Sequence, residues 1–274
     1  MRWLSLLLLV LFFCAANAQA VSKHVTSVVP KEIHGLYQFT GKLNGKIPIF
    51  LWFVAKNGVL KGEVTYLNKA ARQPIIIYGT IVLVDEFNAF GDKIVRNGAL
   101  IYEFNKNGYV TGTYMATFKG AIFEGTWTKP GSEKELQFNL SHSDSVVSKH
   151  DTVLTPNKIA GEYLYRFGEK GSQGGIDIKQ IDKTNFLITV ECTTPAPAYN
   201  EAVVEPVKVH MIGNTFIYSI PETDCKFRVS FFNNFAVITR LQGTECGFGF
   251  NASIDGVFIK TGDKAEMPRA SKSR

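Results

Sequence analysis

The feature that most constrains the fold of this chain is a long series of short, alternating apolar runs divided by tight-turn sequences. Between residues 31 and 260, no window of a dozen residues has the apolar spacing of an amphipathic helix, whereas many runs alternate with a period of two. Pairs such as Asn44-Gly45 and Asn107-Gly108 separate these runs and favour tight hairpins. The pattern predicts an all-β protein.

Sixteen strands are predicted, eight in each half of the chain. The first half contains runs at 35–41, 47–55, 59–66, 74–84, 99–104, 109–118, 121–128 and 134–140. The second half contains runs at 161–167, 175–181, 185–191, 207–212, 215–220, 225–232, 235–241 and 250–260. Short strands joined by near-minimal turns are typical of an antiparallel meander that closes, or nearly closes, into a β-barrel. Two flattened antiparallel sheets are the alternative.

The two halves begin and end alike, which indicates a duplicated unit. The motif I-x-G-x-Y occurs at residues 33–37 and again at 159–163. A closing G-x-aromatic-x-K occurs at 125–129 and again at 256–260. We therefore predict two tandem β-barrel units, each of about 100 residues, which is an ordinary domain size.

Composition places the boundaries of these units. The first unit spans residues 31–140 and the second spans 159–260. Residues 141–158 are polar, contain a proline and break the alternation, so they are predicted to be a linker. Residues 261–274 are basic and have no apolar period, which predicts a disordered tail.

The first eighteen residues have the form of a secretion signal. Arg2 precedes an apolar run at 4–13, and Ala16-Asn17-Ala18 resembles a signal-peptidase site. Cys14 raises the alternative of a lipoprotein anchor. Because the apolar run is shorter than the roughly 20 residues of a membrane helix, we expect a chain without a membrane span that is periplasmic or secreted.

Three cysteines follow the predicted signal peptide. In an oxidising compartment Cys225 and Cys246 form the natural pair, and closing a loop of that size contributes about 3 kcal/mol to stability. Cys192 is then predicted to be an unpaired thiol, with a reactive or intermolecular cysteine as the alternative. No C-x-x-C spacing is present, which argues against a metal held by cysteines.

Neither charge nor motifs indicate a nucleic-acid reader or an enzyme. The formal net charge is +6, but the basic residues form no dense stripe and part of them lie in the tail. The sequence contains no nucleophile elbow, zinc-protease motif, phosphate loop or calcium loop. We therefore expect no catalytic activity, cofactor or metal. A pair of glycosidase-like carboxylates is the alternative, since their spacing cannot be read from a sequence.

Several aromatic residues are candidates for binding a partner. Phe50, Trp52 and Phe53 lie in one strand, where alternation sends Trp52 and Phe53 to opposite faces. Tyr78 lies in a run that is apolar on both faces, and such a strand must be covered on both sides. The outer face of 47–55 and 74–84 is thus predicted to be either the contact between the units or a partner-binding surface.

A further candidate is Phe248, which stands between two glycines directly after Cys246. Glycines flanking an aromatic residue beside a cystine predict a strand corner, or alternatively a rim that presents Phe248.

The motifs of both halves resemble modules of exported bacterial β-barrel proteins of uncharacterised function. In the second unit these motifs are C-x-F-x-V-x-F at 225–231, C-G-F-G at 246–249 and Asp255-Gly256. In the first they include P-I-x-I-x-G-T at 74–80 and G-T-W at 125–127. The resemblance implies small barrels like those of lipocalins or periplasmic lysozyme inhibitors, and it implies no established activity.

These observations lead to three hypotheses about function. The first is a non-catalytic exported protein that binds a protein partner, such as an envelope hydrolase it inhibits or a toxin it neutralises. The second is a carrier of a small apolar ligand inside one barrel. The third is an enzyme acting on glycans.

Overall fold

A computed structural model describes residues 32–68, 73–87, 93–144 and 151–265 of the chain. The predicted signal peptide at 1–18 with Cys14, residues 145–150 of the predicted linker and the tail from 266 lie outside the described residues.

The described residues contain sixteen β-strands and no helix, which confirms the all-β prediction. The strands of the first sheet are β1 (Gly35–Leu43), β2 (Ile47–Lys56), β3 (Val59–Tyr66), β4 (Ile75–Phe87), β5 (Lys93–Phe104), β6 (Val110–Lys119), β7 (Ile122–Thr128) and β8 (Glu135–His142). They follow one another around a closed barrel, and β1 pairs with both β2 and β8. Gly41 of β1 accordingly faces Ile49 on one side and Leu140 on the other.

The second sheet is a barrel that is nearly closed. Its strands are β9 (Gly161–Arg166), β10 (Gln173–Gln180), β11 (Asn185–Thr193), β12 (Glu201–His210), β13 (Thr215–Ser219), β14 (Lys226–Phe232), β15 (Phe235–Gln242) and β16 (Gly256–Gly262). Their order is β12-β11-β10-β9-β16-β15-β14-β13. The meander therefore runs once around, with β9 paired to β16, and the sheet ends at β12 and β13.

Local sequence explains the turns between strands. Asn57 and Gly58 join β2 to β3 with φ angles of 53° and 77°. Two successive positive φ values are what a type I′ hairpin turn requires, and Asn followed by Gly is the pair that adopts them at least cost.

Each barrel begins with a tyrosine that bonds back to the preceding chain. The Tyr37 hydroxyl donates to the carbonyl oxygen of His34 (3.1 Å), and the Tyr163 hydroxyl donates to that of Ile159 (2.7 Å). In both barrels, the tyrosine of the opening motif therefore fixes the chain that leads into the first strand.

The interior of the first barrel differs between its two ends. At the end formed by the start of β1, the rings of Tyr37, Phe39, Phe53, Phe118 and Phe123 pack against one another, with centroids 4.8 to 6.4 Å apart. Aromatic pairs at such distances add about 0.5–1.5 kcal/mol each beyond the area that they bury. This end is filled by its own side chains, whereas the opposite end contains polar groups and a cavity.

A single apolar cluster joins the two barrels within one compact unit, which contains every described strand residue outside 85–95. Val59, Tyr78, Phe104 and Val110 of the first barrel belong to the cluster that forms the core of the second. On the same side, the Tyr102 and Phe167 rings lie 5.8 Å apart at an angle of 81°. The two barrels therefore share buried surface.

The described residues of the predicted linker make defined contacts on both sides of residues 145–150. β8 continues to His142, and residues 151–160 contact both barrels. Asp151 pairs with Lys61 of β3, while the carbonyl oxygen of Leu154 accepts a hydrogen bond from the backbone nitrogen of Asn233 (2.9 Å). At the other predicted boundary, β16 extends to Gly262, two residues into the predicted tail.

Two predicted strands of the second barrel differ from those in the structure. β12 begins at Glu201 rather than 207, because Pro206 lies at a break in the pairing with β11 that the strand passes through. β16 begins at Gly256 rather than 250, because Asn251 has a positive φ of 58° and a polar cluster holds residues 253–255 in a loop.

Candidate functional site

The most distinctive site in the described residues is a buried carboxyl group inside the first barrel. Ala99, Ile101 and Glu103 alternate along β5, and the first two belong to the barrel core, so the same period turns Glu103 inward. Only 2% of Glu103 is exposed. Burying a carboxyl group costs several kcal/mol unless partners compensate, and so this residue needs hydrogen-bond donors.

Two tyrosines supply strong hydrogen bonds to this carboxyl group. The hydroxyls of Tyr66 on β3 and Tyr114 on β6 both donate to Glu103 Oε1, at 2.6 and 2.7 Å. The second oxygen, Oε2, accepts a longer bond of 3.4 Å from the hydroxyl of Thr111. Both lone pairs of Oε1 are thus occupied, whereas Oε2 retains capacity to accept.

Trp127 of β7 lies beside the same carboxyl group. Its indole N–H is near enough to favour the charged form of Glu103, but the geometry falls short of a hydrogen bond, and the nitrogen has no partner among the described residues. Gly112, which is paired with Glu103 in the sheet, makes this approach possible. A Cβ atom at Gly112 would lie 2.3 Å from Trp127 Nε1 and 2.7 Å from Glu103 Oε2.

Burial and hydrogen bonding act on the titration of Glu103 in opposite directions. Burial raises the pKa of Glu103 above its ordinary value of 4.5, while the bonds from Tyr66, Tyr114 and Thr111 oppose this shift. Burial also raises the pKa of both tyrosine hydroxyls, and the neighbouring Glu103 charge adds to that effect. The tyrosines are consequently neutral donors at physiological pH.

A cavity of about 710 Å³ adjoins this group at the end of the barrel. Its apolar lining comes from the ends of strands around the barrel and includes Leu43, Ile47, Ile75, Trp127 and Leu136. Its polar lining is Tyr66, Asn68, Gln73, Glu103, Asn105, Lys106 and Thr111. A concave apolar site with a few convergent polar groups is the usual form of a small-molecule site.

The acid groups of this site do not form a glycosidase pair. Glycoside hydrolysis generally uses two carboxyl groups about 5–9.5 Å apart. Glu103 is the single acidic residue among the described residues that line the cavity. Among the described residues, no group of three or more His, Cys, Asp or Glu side chains is placed to hold a metal ion.

The structure confirms the predicted disulfide in the second barrel. Cys225 and Cys246 are bonded, and Cys192 is a free thiol that is buried. Burial raises the pKa of the Cys192 thiol to about 12. A thiol that remains protonated and inaccessible is a poor nucleophile, which supports the structural interpretation of Cys192 over a reactive one.

The aromatic candidates for partner binding occupy different environments. Phe53 is fully buried inside the first barrel and Tyr78 is buried against the second, so neither presents a free surface. Trp52 is only 4% exposed, and its indole N–H donates to Glu63 Oε2 at 3.1 Å. Phe50 is half-buried on the outer face of β2. Contact of Phe50 with a partner stays a prediction.

Phe248 is half-buried and faces the core of the second barrel. Its ring lies 6.3 Å from that of Phe227, and it is Phe250 that projects instead, with 79% of its surface exposed.

Sequence reasoning did not identify Phe250, Glu103 or the groups around Glu103. The alternation of residues along β5 could have placed Glu103 inside the barrel. An acidic residue at an inward-facing position is unusual, so this placement would have marked Glu103 as a candidate.

A second polar cluster lies at one end of the second barrel and has a structural explanation. Arg240 Nη2 donates to Ser253 Oγ (2.7 Å) and Asp255 Oδ2 (3.0 Å), and its guanidinium lies 5.6 Å from the centroid of the Phe227 ring. These contacts tie the loop before β16 to β15. The ion pair between Arg240 and Asp255 thus serves to hold this loop against the barrel.

The chain has no match among the protein-family models, the curated proteins or the solved structures with which it was compared. The resemblance to exported bacterial barrel modules therefore stays a prediction.

Within the part of the chain that the structure describes, no helix has the length and apolarity needed to cross a membrane.

Proposed function

We propose that this protein is a non-catalytic, exported binding protein whose first barrel holds a small, largely apolar ligand. The observation that carries this proposal is the cavity of about 710 Å³ that ends at the buried Glu103. The disulfide between Cys225 and Cys246 is compatible with export, because such bonds persist in oxidising compartments.

The two ends of the first barrel support this assignment. A barrel of eight strands has an interior that side chains can fill completely or that can hold one small ligand. Here the aromatic cluster around Phe39 and Phe123 fills one end, while the other end retains space beside a polar group. The aromatic end supplies packing, so the cavity end can be specialised for binding.

The arrangement around Glu103 favours binding over catalysis. Its Oε1 is held by two tyrosine hydroxyls, and no described side chain lining the cavity provides a second acid or a base–nucleophile pair. Fixed donors around a single carboxyl group suit the orientation of a ligand. A glycan-active enzyme is accordingly the weaker hypothesis.

Blocking the cavity tests the proposal. N-phenyl-1-naphthylamine, a neutral apolar dye, is expected to bind the full chain with one-to-one stoichiometry. Leu136→Trp places a larger ring in the cavity and should abolish binding, whereas Gln137→Trp, at the next and outward-facing position of β8, should not. Equal dye binding by both variants, or none by the unmodified chain, contradicts the proposal.

A second candidate function, the binding of a protein partner such as an envelope hydrolase or toxin, is favoured by the loop around Phe250. The backbone nitrogen of Gly249 donates to the backbone carbonyl oxygen of Glu201 (2.9 Å), and Asn200 Nδ2 donates to the carbonyl oxygen of Phe250 (2.9 Å). Tyr199 is also exposed on the adjoining loop. Exposed aromatic residues on a fixed loop lose little conformational entropy on binding.

Substitution of Phe250 tests this candidate. In cross-linked capture from envelope extract of the producing cell, Phe250→Ser should reduce the amount of a captured protein severalfold. Met115→Ser changes a similarly exposed apolar residue on the first barrel and should leave capture unchanged. If both variants capture the same protein equally, the Phe250 loop is not the contact.

A further inference from the structure

We infer that the ligand of the first barrel carries a cationic nitrogen, such as a primary ammonium group, that pairs with Glu103. This inference rests on the proposed function of the barrel and adds the chemical class of the ligand: a small amine on an apolar chain or ring.

The partners of Glu103 support a cationic ligand because all of them are neutral. Tyr66 and Tyr114 donate to Oε1, Thr111 donates to Oε2, and Trp127 lies alongside. No described Lys, Arg or His nitrogen lies within ion-pair distance of the carboxyl group. The carboxyl group is thus hydrogen-bonded by neutral donors alone, and a cation that enters the cavity would neutralise its charge in the ionised form.

The geometry of the carboxyl group leaves a place for such a cation. Oε1 already accepts two short hydrogen bonds, whereas Oε2 accepts only the bond of 3.4 Å from Thr111. A charge-assisted bond from an ammonium group to Oε2 would be shorter and stronger than that contact. Gly112 keeps this side of the carboxylate free of a Cβ atom.

The walls of the cavity fit the rest of an amine ligand. Trp127 and Tyr66 line it next to Glu103, and aromatic faces attract cationic nitrogens. Leu43, Ile47 and Ile75 line it too, and they suit an apolar body. Lys106, the one described basic residue of the lining, is not paired with Glu103 and would repel a cation, so the ammonium is expected to bind at the carboxyl group.

A ligand series with one chain length and three headgroups separates the alternatives. At pH 7.5, octylamine, 1-octanol and octanoate compete with bound N-phenyl-1-naphthylamine on the full-length protein. Octylamine is expected to displace the dye at about one tenth the concentration of 1-octanol or less, because a charge-assisted hydrogen bond is stronger than one between neutral groups. Octanoate should be the weakest competitor, and the Trp127 fluorescence should change when octylamine binds.

Glu103→Gln removes the charge while retaining an acceptor for both tyrosines. In this variant octylamine and 1-octanol should differ by less than about threefold, with 1-octanol displacing the dye as it does from the unmodified protein. Glu135→Gln, at an exposed position of β8, is the matched control and should retain the amine preference. If Glu103→Gln does not fold, the preference of the unmodified protein between the three competitors decides.

The outcomes distinguish this inference from the proposed function. Failure of the dye to bind the unmodified protein overturns both the proposed function and the amine inference. Dye binding with 1-octanol or octanoate as effective as octylamine overturns the cationic ligand alone. An amine preference that persists in Glu103→Gln also overturns the amine inference and leaves the proposed function intact, because a group other than Glu103 would then hold the cation.

Discussion

Tyr78 of β4 and Phe235 of β15 stack across the contact between the two barrels, with ring centroids 4.5 Å apart and an interplanar angle of 23°. Tyr78 is 3% exposed and Phe235 is fully buried. Tyr78 points away from the interior of its own barrel, where its neighbour Ile77 is buried, so it is the second unit that covers this part of β4. The predicted surface of β4 is, at Tyr78, the contact between the units.

The stacked pair should therefore show energetic coupling. Tyr78→Ala and Phe235→Ala are each expected to lower the free energy of unfolding by about 3–5 kcal/mol, since each removes a large buried ring. The double variant should be less destabilised than the sum, by about 0.5–1.5 kcal/mol. Urea unfolding measures all three. Ile76→Ala, at a half-exposed position of the same strand, is the control, and strict additivity would contradict the stacking contribution.

A second prediction concerns the segment between the barrels. Lys61 has a side chain that is 7% exposed, and its ammonium group lies 2.5 Å from Asp151. Asp151→Asn should lower the free energy of unfolding by about 1–2 kcal/mol, because it leaves a buried ammonium poorly paired, while the exposure of Asp151 limits the effect. Asp144→Asn, at a fully exposed side chain, should change stability little.

The same ion pair predicts a pH dependence. The hydrogen bond from Lys61 lowers the pKa of Asp151 below its ordinary value of 3.8. The ion pair between Lys61 and Asp151 therefore contributes its full stabilisation above pH 3.8, and this contribution is lost as the pH falls through the lowered pKa of Asp151. The difference in melting temperature between the unmodified protein and Asp151→Asn should narrow in acid. A difference that is constant down to pH 2 would show that the charge of Asp151 is not involved.

Glu103 should affect stability in the opposite sense. Because the pKa of Glu103 is raised above 4.5 in the folded state, the folded protein holds this proton more tightly than the unfolded chain. Stability relative to Glu103→Gln should decrease as the pH rises from about 4.5 to the raised pKa, and then remain constant. The groups around it, Tyr66 and Tyr114, stay neutral over this range, and the other charged residue that lines the cavity in the described part of the chain is Lys106.

Melting temperatures of the unmodified protein and Glu103→Gln between pH 4 and pH 8 measure this effect. Glu135→Gln, on an exposed surface, should show no comparable trend. A melting temperature of the unmodified protein that stays constant or rises relative to that of Glu103→Gln as the pH increases would contradict the raised pKa of Glu103.

The three cysteines in the described part of the chain should react in a fixed order. Cys192 is buried and the pKa of its thiol is about 12, so iodoacetamide should not modify it in the folded protein at pH 8. Denaturation alone should expose Cys192, whereas Cys225 and Cys246 should react only after reduction. Peptide mapping distinguishes the sites. Modification of Cys192 without denaturant would indicate that the interior of the second barrel opens readily.

Much of the fold could be predicted from the sequence because each strand signals itself locally. Alternation and turn pairs such as Asn57-Gly58 depend on neighbouring residues, and most strands agree with the predicted runs. An exception in the first barrel is β5, which begins at Lys93 rather than at the predicted residue 99. The pairing of Cys225 with Cys246 could also be predicted, because an oxidising compartment favours a bond between two cysteines that lie close in the sequence. The predicted start of β12 was wrong because a proline usually interrupts strand pairing. Here the pairing between β11 and β12 is already broken opposite Pro206, so the strand continues through it.

The candidate site could not be predicted in the same way. Glu103 becomes distinctive only because β3, β6 and β7 bring Tyr66, Tyr114 and Trp127 to it, and these residues are far apart in the chain. Alternation correctly separated Trp52 from Phe53. It could not show that Trp52, on the outer face of that strand, is also buried.

The end of the second sheet at β12 and β13 has a consequence for how the protein behaves at high concentration. Edge strands offer unpaired backbone groups onto which a strand from another molecule can add. β12 has outward-facing charges at Glu201, Glu205 and Lys208 and a proline at residue 206, and β13 is only five residues long. Charge, proline and brevity each disfavour such addition, so the incomplete barrel is protected against growing into aggregates through its open edges.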